Sequence, residues 1–263
     1  MKKIFPLLLF VLFLAIPHTQ AVESVVRASI PKQQKIKIPF RPGERLVYDV
    51  NYFNVPAGTA VMEVVEKGTM KGRDVFHILS TVRSNKMTSL FYRVRDRIET
   101  FIDAEGLYSH FIRIKQRQGG KKREKIIDFD QVQHRAVQIK KNKRTTYTVP
   151  PRVHDSLSSL YYFRAQPSLE SGKSVFIDVH ESRKNWVLEI QVLGREEVTT
   201  ALGTFKAIKA KALVHYEGLF MDKGDVTLWL TDDAQRIPVL IRTKIRIGSI
   251  NIELRSMQGV YRL

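Results

Sequence analysis

Apolar and polar residues alternate with a period of two along most of this chain. Leu46, Tyr48, Val50 and Tyr52 occupy every second position. Because successive side chains of a strand point to opposite faces, this pattern predicts a strand with one buried face. Similar short segments, separated by Gly, Asp, Asn and Pro, are typical of an antiparallel all-β protein. The predicted strands are 46–52, 59–65, 74–84, 96–102, 107–117, 121–130, 134–140, 144–150, 174–180, 185–193, 196–200, 204–216, 224–231, 237–246 and 249–255.

Turn-forming residues connect these strands. Pro56 to Gly58 predicts the first turn, and Gly119-Gly120 predicts a two-residue hairpin. Lys141-Asn142-Lys143 predicts the next hairpin. Residues 217–225 read as an exposed loop that could reach a membrane or a partner, or as the folded-back end of a hairpin.

One segment departs from the strand pattern and predicts a short helix. Pro150-Pro151 ends the preceding strand, and Asp155 stands at a helix N-cap position. Leu157, Leu160 and Tyr161 then share one helical face. The predicted fold is therefore all-β, with a large curved antiparallel sheet or half-open β-barrel and one short helix, 155–164, packed on it.

The N-terminal residues resemble an export signal. Lys2 and Lys3 precede an apolar run, Leu7 to Ile16, which is too short to span a bilayer comfortably. We expect a signal peptide over 1–21, cleaved after Ala21; an uncleaved anchor is the alternative. An extended or disordered leader over 22–39 and a single β domain over 40–263 should follow. No later segment approaches membrane-spanning length.

The chain contains no cysteine, which excludes thiolate metal sites, thiol nucleophiles and a lipidated N-terminal cysteine. It is strongly basic, with 44 Lys and Arg against 26 Asp and Glu, a formal net charge of +18. An exported basic protein is expected to meet anionic lipid, lipopolysaccharide or acidic glycan, and not nucleic acid. The alternative is that lysines simply protect sheet edges from aggregation.

Much of the charge falls on two predicted neighbouring hairpins. Such hairpins could bind anionic head groups, with a cavity beside the predicted helix holding apolar parts of the ligand. A solvated edge is the alternative interpretation. The predicted ligand-binding residues are Arg113, Lys115, Arg117, Lys121, Lys122, Arg123, Lys125, Lys140, Lys141, Lys143 and Arg144 on the hairpins, and Leu157, Leu160 and Tyr161 on the helix.

Catalytic and metal motifs are weak. The histidines lack ligand spacing, so we predict no metal and no cofactor. Asp232-Asp233 could help to bind a hard cation, but the simpler interpretation is that the pair lies at the end of a hairpin. His154-Asp155-Ser156 are adjacent in sequence, which does not make a triad. Two of several acids could converge as in a glycosidase, although each also reads as an outward strand residue: Glu63, Asp96, Glu99, Asp128, Asp130, Asp178 and Glu189.

Several segments, in order, resemble an exported bacterial family known as DUF3108. They include "GERLVYDVNYFNVPAG", "FYRVRDRIETFIDAEGL", "PPRVHDSLSSLYYFR", "VLGREEVTTALGTFKAIKAK" and "VTLWLTDDAQRIPVLIRTKIRIGSINIEL". The resemblance implies a β protein of the periplasm or envelope of a Gram-negative bacterium, without established catalytic residues. The segment "LWLTDDAQRIPVLIR" is also similar to periplasmic lipoprotein carriers, a likeness at the level of fold.

These observations favour a non-enzymatic envelope protein that binds an anionic or amphipathic ligand such as a lipid, lipopolysaccharide or a lipoprotein, with peripheral membrane contact. A scaffold that binds other envelope proteins through edge strands is the second hypothesis. A hydrolase acting on glycans is the third.

Overall fold

The computed structural model describes residues 37–141, 143–181, 183–216, 219–244 and 248–260, without the side chains of 215–225. The predicted signal peptide, 1–21, and most of the predicted leader lie outside the described residues. So does Asn142.

The described residues form one antiparallel sheet of fourteen strands and two short helices, which confirms the predicted fold class. The helices are α1 (Lys86–Phe91) and α2 (Ser156–Arg164). The strands are β1 (Arg45–Tyr52), β2 (Val55–Met70), β3 (Arg73–Ser84), β4 (Val94–Asp103), β5 (Ser109–Gln118), β6 (Lys121–Asp130), β7 (Arg135–Lys140), β8 (Lys143–Thr148), β9 (Ser174–Glu181), β10 (Lys184–Thr200), β11 (Gly203–Tyr216), β12 (Leu219–Thr231), β13 (Pro238–Lys244) and β14 (Ser249–Gln258).

The strand order is β8-β7-β6-β5-β4-β3-β2-β1-β14-β13-β12-β11-β10-β9. Neighbours in the sheet are therefore neighbours in sequence, except where β1 pairs with β14. The alternation that predicted the strands is visible in β1, where Leu46, Tyr48 and Val50 are buried. Since one face of the sheet carries these apolar residues, curling that face inward removes it from water.

The curved sheet brings its two outer strands, β8 and β9, close together without joining them in a ladder. His154, just before α2, makes an isolated parallel bridge to Val179 of β9. The side-chain amide of Asn185, at the start of β10, donates to the carbonyl of Thr148 at the end of β8, over 2.8 Å. The barrel is thus half-open, and the segment that leads into α2 lies at the gap.

Helix α2 packs between two apolar clusters. Leu157 and Tyr161 belong to the larger cluster, which is formed mainly by β1–β6. Phe163 belongs to the second cluster, formed mainly by β9–β12, and the partly buried Leu160 and Tyr162 contact both. The helix therefore fills the space between the two halves of the sheet.

The C-terminal end of α2 is held by a buried ion pair that the sequence did not predict. Arg164 donates from Nη1 and Nη2 to the two carboxylate oxygens of Glu44, over 2.7 and 3.0 Å, and both side chains are buried. Its remaining donors reach the carbonyls of Gln235 and Arg236, in the turn between β12 and β13. The guanidinium thus ties α2 to two distant segments.

Three local predictions are corrected. The first turn lies at Phe53-Asn54, both with positive φ, and not at Pro56–Gly58, which belongs to β2; a register shift in the β1–β2 ladder accommodates the proline. The strands predicted over 185–193 and 196–200 form one strand, β10, with a bulge beside Gly194. Most of the predicted loop 217–225 lies in β12, so the hairpin alternative is the correct one there.

Candidate functional site

The two predicted cationic hairpins, β5–β6 and β7–β8, are adjacent in the sheet because β6 pairs with β7. Gly119 and Gly120, both with positive φ as in a type I′ turn, form the turn of the β5–β6 hairpin, which confirms the two-residue hairpin predicted there. Lys141, also with positive φ, lies in the turn of the β7–β8 hairpin. In an antiparallel meander, alternate turns share an end. The β1–β2 turn, α1 and both cationic turns therefore lie at one end of the sheet, which we call the basic end.

The cations of the β5–β6 hairpin are divided between the two faces of the sheet. Ile112 and Ile114 are buried, so Arg113, Lys115 and Arg117 point outward together, as predicted. On β6 the buried residues are Ile127 and Phe129. Lys121, Arg123 and Lys125 therefore share the inner face, whereas Lys122 lies on the outer face.

Three of the predicted cations are paired with acids. Arg113 and Lys115 lie 4.0 and 3.5 Å from Glu124. Lys125 is mostly buried and pairs with Glu181 of β9. Burial, followed by repulsion from Lys140, lowers the pKa of Lys125 to about 8. Because an acid already compensates each of these three charges, we do not count them as free to bind a ligand.

The other eight predicted cations form a distinct group. All eight are exposed, and none forms an ion pair with a described residue. They lie near the tips of two adjacent hairpins, where their positive charges repel one another. A bound anion would reduce this repulsion. The group comprises Arg117, Lys121, Lys122, Arg123, Lys140, Lys141, Lys143 and Arg144.

The predicted ligand residues of α2 occupy a different environment. Leu157 and Tyr161 are buried in the core, and Leu160 is partly buried against it. The ring of Tyr161 packs edge-on against Phe40, with 4.8 Å between centroids. The structure therefore places these residues among core side chains, and it does not bring them onto the surface that carries the eight cations.

Asp155 has the predicted capping role. Its Oδ1 accepts from the amides of Leu157 and Ser158, over 2.7 and 2.9 Å. Its Oδ2 accepts from the hydroxyls of Thr100 and Ser109, over 2.6 and 2.7 Å. Burial raises the pKa of Asp155, and these hydrogen bonds oppose that rise. The carboxylate is thus fully used in fixing the start of α2 to the sheet.

The neighbouring His154 is buried, and its Nδ1 lies 3.3 Å from the hydroxyl of Ser158. Burial lowers the pKa of His154 to about 3. The hydroxyl of Ser158 accepts from the backbone amide of Asp155 over 2.9 Å and lies 3.1 Å from the carbonyl of Asp155. The carbonyl of Ser156 accepts from the hydroxyl of Ser159 over 2.9 Å. These contacts show that His154, Asp155 and Ser156 form the start of α2.

The acids considered for glycan hydrolysis are mostly engaged with other groups. Glu63 lies 3.8 Å from Arg45, and Glu99 lies 2.6 Å from Arg97. Asp128 pairs with Lys71, and Asp130 accepts from backbone amides of the following turn. Asp96 is buried beside Gln118, and burial raises the pKa of Asp96. Glu189 accepts from Ser174, over 2.7 Å.

Among the described residues, no group of three or more His, Cys, Asp or Glu is placed to hold a metal ion. Asp233 accepts from the amides of Gln235 and Arg236, while Asp232 pairs with Arg195 over 2.8 Å. The Asp232-Asp233 pair therefore shapes the β12–β13 turn, as the simpler interpretation predicted.

Sequence reasoning missed α1, which connects β3 and β4 at the basic end. Its signals were present: Asn85 caps the helix by accepting from Thr88 N over 2.8 Å, and Met87, Leu90 and Phe91 have i, i+3, i+4 spacing. The helix buries none of its residues. It is therefore the least expected element of the structure, because an apolar helical stripe normally faces a core.

Comparison with known proteins gives a family and a fold. The family model for DUF3108, described as a protein of unknown function, matches residues 47–255. No curated protein is significantly similar in sequence. Within the described residues, no helix has the length and apolarity needed to cross a bilayer.

Among solved structures, a β-barrel-like protein of the DUF1849 domain from Brucella abortus matches with a TM-score of 0.57 and 12% identity, over 85% of this chain and all of that one. A candidate lipoprotein from Parabacteroides distasonis (TM-score 0.37, 8% identity) and a candidate exported protein with a YmcC-like fold from Bacteroides fragilis (TM-score 0.33, 11% identity) each match over 86% of this chain and all of theirs. The first similarity supports the β-barrel-like fold. Since the family model covers most of the sequence, this chain belongs to the DUF3108 family.

Proposed function

We propose that this chain is an exported envelope protein that binds a phosphate-bearing anionic lipid surface through its basic end, without catalysing a reaction. The observation that carries the proposal is the group of eight exposed cations on two adjacent hairpins, without ion pairs to described residues. The signal-like N-terminus supports placement in the envelope, where such surfaces occur.

The expected strength follows from the number of charges. A basic residue near an anionic membrane surface contributes about 1 kcal/mol. Replacing Lys121, Lys122 and Arg123 with Gln should therefore cost about 3 kcal/mol, which corresponds to about a hundredfold weaker binding. Since salt screens Coulomb attraction, the difference in affinity between this variant and the wild type should shrink as ionic strength rises.

The test is co-sedimentation of the exported protein with vesicles containing phosphatidylglycerol, vesicles containing lipopolysaccharide, and vesicles of phosphatidylcholine alone. All variants should share one N-terminus, confirmed by mass spectrometry, so that differences report on the folded domain. The matched control replaces three exposed cations at the opposite end, Arg135, Arg152 and Lys173, with Gln. The two anionic arms distinguish which lipid supplies the phosphate.

Equal losses in the two triple variants would refute a specific basic end, since they would show that net charge alone drives binding. Absence of binding to both anionic vesicles would refute the proposal entirely. A soluble acidic polysaccharide that binds as strongly as the vesicles would replace the lipid with a glycan as the ligand.

The scaffold hypothesis has one structural observation in its favour. Among the described strands, β8 pairs only with β7, so its other edge has backbone groups for a partner strand. However, β8 spans only six residues and begins with Lys143-Arg144, and short charged edges oppose strand addition. Cross-linking that captures one defined protein at Thr145–Thr148 would favour this alternative.

A further inference from the structure

We infer that α1, together with the β1–β2 turn, is an apolar anchor that enters the lipid interface once the cationic hairpins have attracted the protein to it. This inference rests on the proposed function. It adds a second contact of different physical character: burial of apolar side chains, which salt does not screen.

The first observation is a concentration of exposed apolar side chains at the basic end. On α1, Met87, Leu90 and Phe91 are 68%, 76% and 87% exposed. At the adjacent β1–β2 turn, Phe53 is 53% exposed, and Val55, the first residue of β2, is 64% exposed. These five are the majority of the nine large hydrophobic residues that the described part of the chain leaves exposed. Clustered apolar exposure marks an interaction surface, whereas scattered exposure does not.

The second observation is that hydrogen bonds join the two ends of α1 to the start of β2, next to the β1–β2 turn, and to the β5–β6 turn. Asn85 donates from its amide group to the carbonyl of Pro56, and its backbone N–H donates to Ala57, over 2.6 and 2.9 Å. At the other end of α1, the amide of Gly119 donates to the carbonyl of Arg93 over 3.0 Å. The apolar helix therefore lies between the β1–β2 turn and the cationic β5–β6 turn.

The third observation concerns charge and selects a lipid surface over a protein partner. The segment 83–95 contains no acid, and its four cations are exposed without an ion pair to a described residue: Arg83, Lys86, Arg93 and Arg95. Apolar side chains flanked by Lys and Arg are typical of elements that lie in an anionic membrane interface. Protein interfaces are enriched in Arg but depleted of Lys, so Lys86 within α1 is the cation that argues against a protein partner.

The fourth observation is that α1 contributes little to the core. None of its residues is buried, although its C-cap Tyr92 packs partly against the core. The side chains that would enter the lipid can therefore be replaced without removing core contacts. This makes the inference testable by substitution in the intact protein.

The first experiment replaces Leu90 and Phe91 with Ser and measures binding to vesicles containing phosphatidylglycerol. We expect at least a tenfold loss of affinity, with a variant-to-wild-type ratio that stays the same at low and high salt. Val132→Ser is the control, because Val132 is 89% exposed but lies in the β6–β7 turn at the opposite end. Circular dichroism and the urea midpoint should show that the variant is folded.

The second experiment places a fluorophore at the surface. In Phe91→Trp, vesicles containing phosphatidylglycerol should shift the tryptophan emission to the blue, and brominated lipids should quench it. The native Trp186 and Trp229 are buried and supply a constant background. Phe176→Trp is the control, because Phe176 is 62% exposed on β9, away from the basic end.

The outcomes separate the anchor from the proposed function. If the wild type binds anionic vesicles but Phe91→Trp shows no shift or quenching, or the Ser variant binds like wild type, the anchor is refuted while the electrostatic contact stands. If the wild type binds no anionic vesicle, both are refuted. Loss of binding by the Ser variant together with insertion at residue 91, and not at 176, establishes the anchor.

Discussion

Replacing Glu44 with Gln should destabilise this protein far more than replacing an acid on its surface. The two oxygens of Glu44 accept from Arg164, and both side chains are buried. Glu44→Gln keeps the shape but leaves a buried guanidinium without its counter-charge. Breaking such a pair from one side costs about 3–5 kcal/mol.

The remaining contacts of Arg164 set the expected value at the lower end of that range. The carbonyls of Gln235 and Arg236 still accept hydrogen bonds from the guanidinium, and its carbon lies 5.2 Å from the ring centre of Tyr161. We therefore expect a loss of about 3 kcal/mol in the free energy of unfolding. With a urea m-value of about 2 kcal/mol/M, the midpoint should fall by roughly 1.5 M.

The assay is equilibrium urea unfolding followed by circular dichroism, with two further variants. Asp49→Asn is the matched control, because Asp49 pairs with Arg255 at 3.0 Å but both are well exposed; it should cost less than about 1 kcal/mol. Glu44→Gln combined with Arg164→Met removes both buried charges. It should recover much of the loss, since apolar replacement of a whole buried pair is often nearly neutral.

A loss below about 1 kcal/mol in Glu44→Gln would refute this reasoning, because it would mean that the guanidinium is hydrated or repositioned. The reasoning would also be refuted if the loss of stability in the double variant equalled the sum of the two single losses, because directly paired residues should show an interaction energy.

Three further outcomes are expected. Because burial lowers the pKa of His154 to about 3, the stability due to its neutral form is present above the unfolded value near 6.5 and is lost as pH falls. His154→Gln should therefore reduce the loss of stability between pH 7 and pH 5 by about 2 kcal/mol, and equal losses in both proteins would contradict this. Burial opposes ionisation of Asp103, but hydrogen bonds from His110 and Arg73 hold its pKa well below the usual range. The resulting stability is lost as pH falls below about 4. Asp103→Asn should therefore lower the urea midpoint at pH 7 and make the midpoint depend less on acid pH. An unchanged dependence of the midpoint on pH would argue against the contacts of Asp103 with His110 and Arg73. Gly119→Ala should destabilise by about 1 kcal/mol or more, since Gly119 has positive φ and an added Cβ would lie 2.5 Å from Tyr92, whereas the open Gly120→Ala should cost less in the same urea measurement.

The sequence predicted those features whose causes are local. Asp155 next to an apolar face predicted α2, and Gly119-Gly120 predicted a hairpin, because capping and turn conformation depend on a few adjacent residues. The first turn was misplaced because Pro56 reads as a turn residue, whereas the chain turns at Phe53-Asn54 and tolerates the proline at a register shift.

Features that depend on distant residues could not be predicted. Glu44 and Arg164 are 120 positions apart, and nothing in either local sequence indicates the other. Similarly, the charges of β6 could be counted, but the pairing of Lys125 with Glu181 required the approach of β9. The eight unpaired cations could therefore be separated from the three paired ones only after the structure showed which of the eleven predicted hairpin cations contact an acid.

The pairing of β1 with β14 has a consequence for how the chain folds. All the other ladders of the described sheet join strands that follow one another in sequence, but Tyr48 and Leu254 are roughly 200 positions apart. Closing so long a loop costs about 5 kcal/mol of chain entropy if the intervening residues are still unfolded, and much less once they have collapsed. We therefore expect two meanders, β1–β8 and β9–β14, to form separately and to join last along this one seam. Pulse-labelled hydrogen exchange would then find the amides of the β1–β14 ladder protected after those of the hairpins. A circularly permuted chain, in which residue 260 is joined to residue 37, would fold faster than the natural chain because β1 and β14 would then be close in sequence.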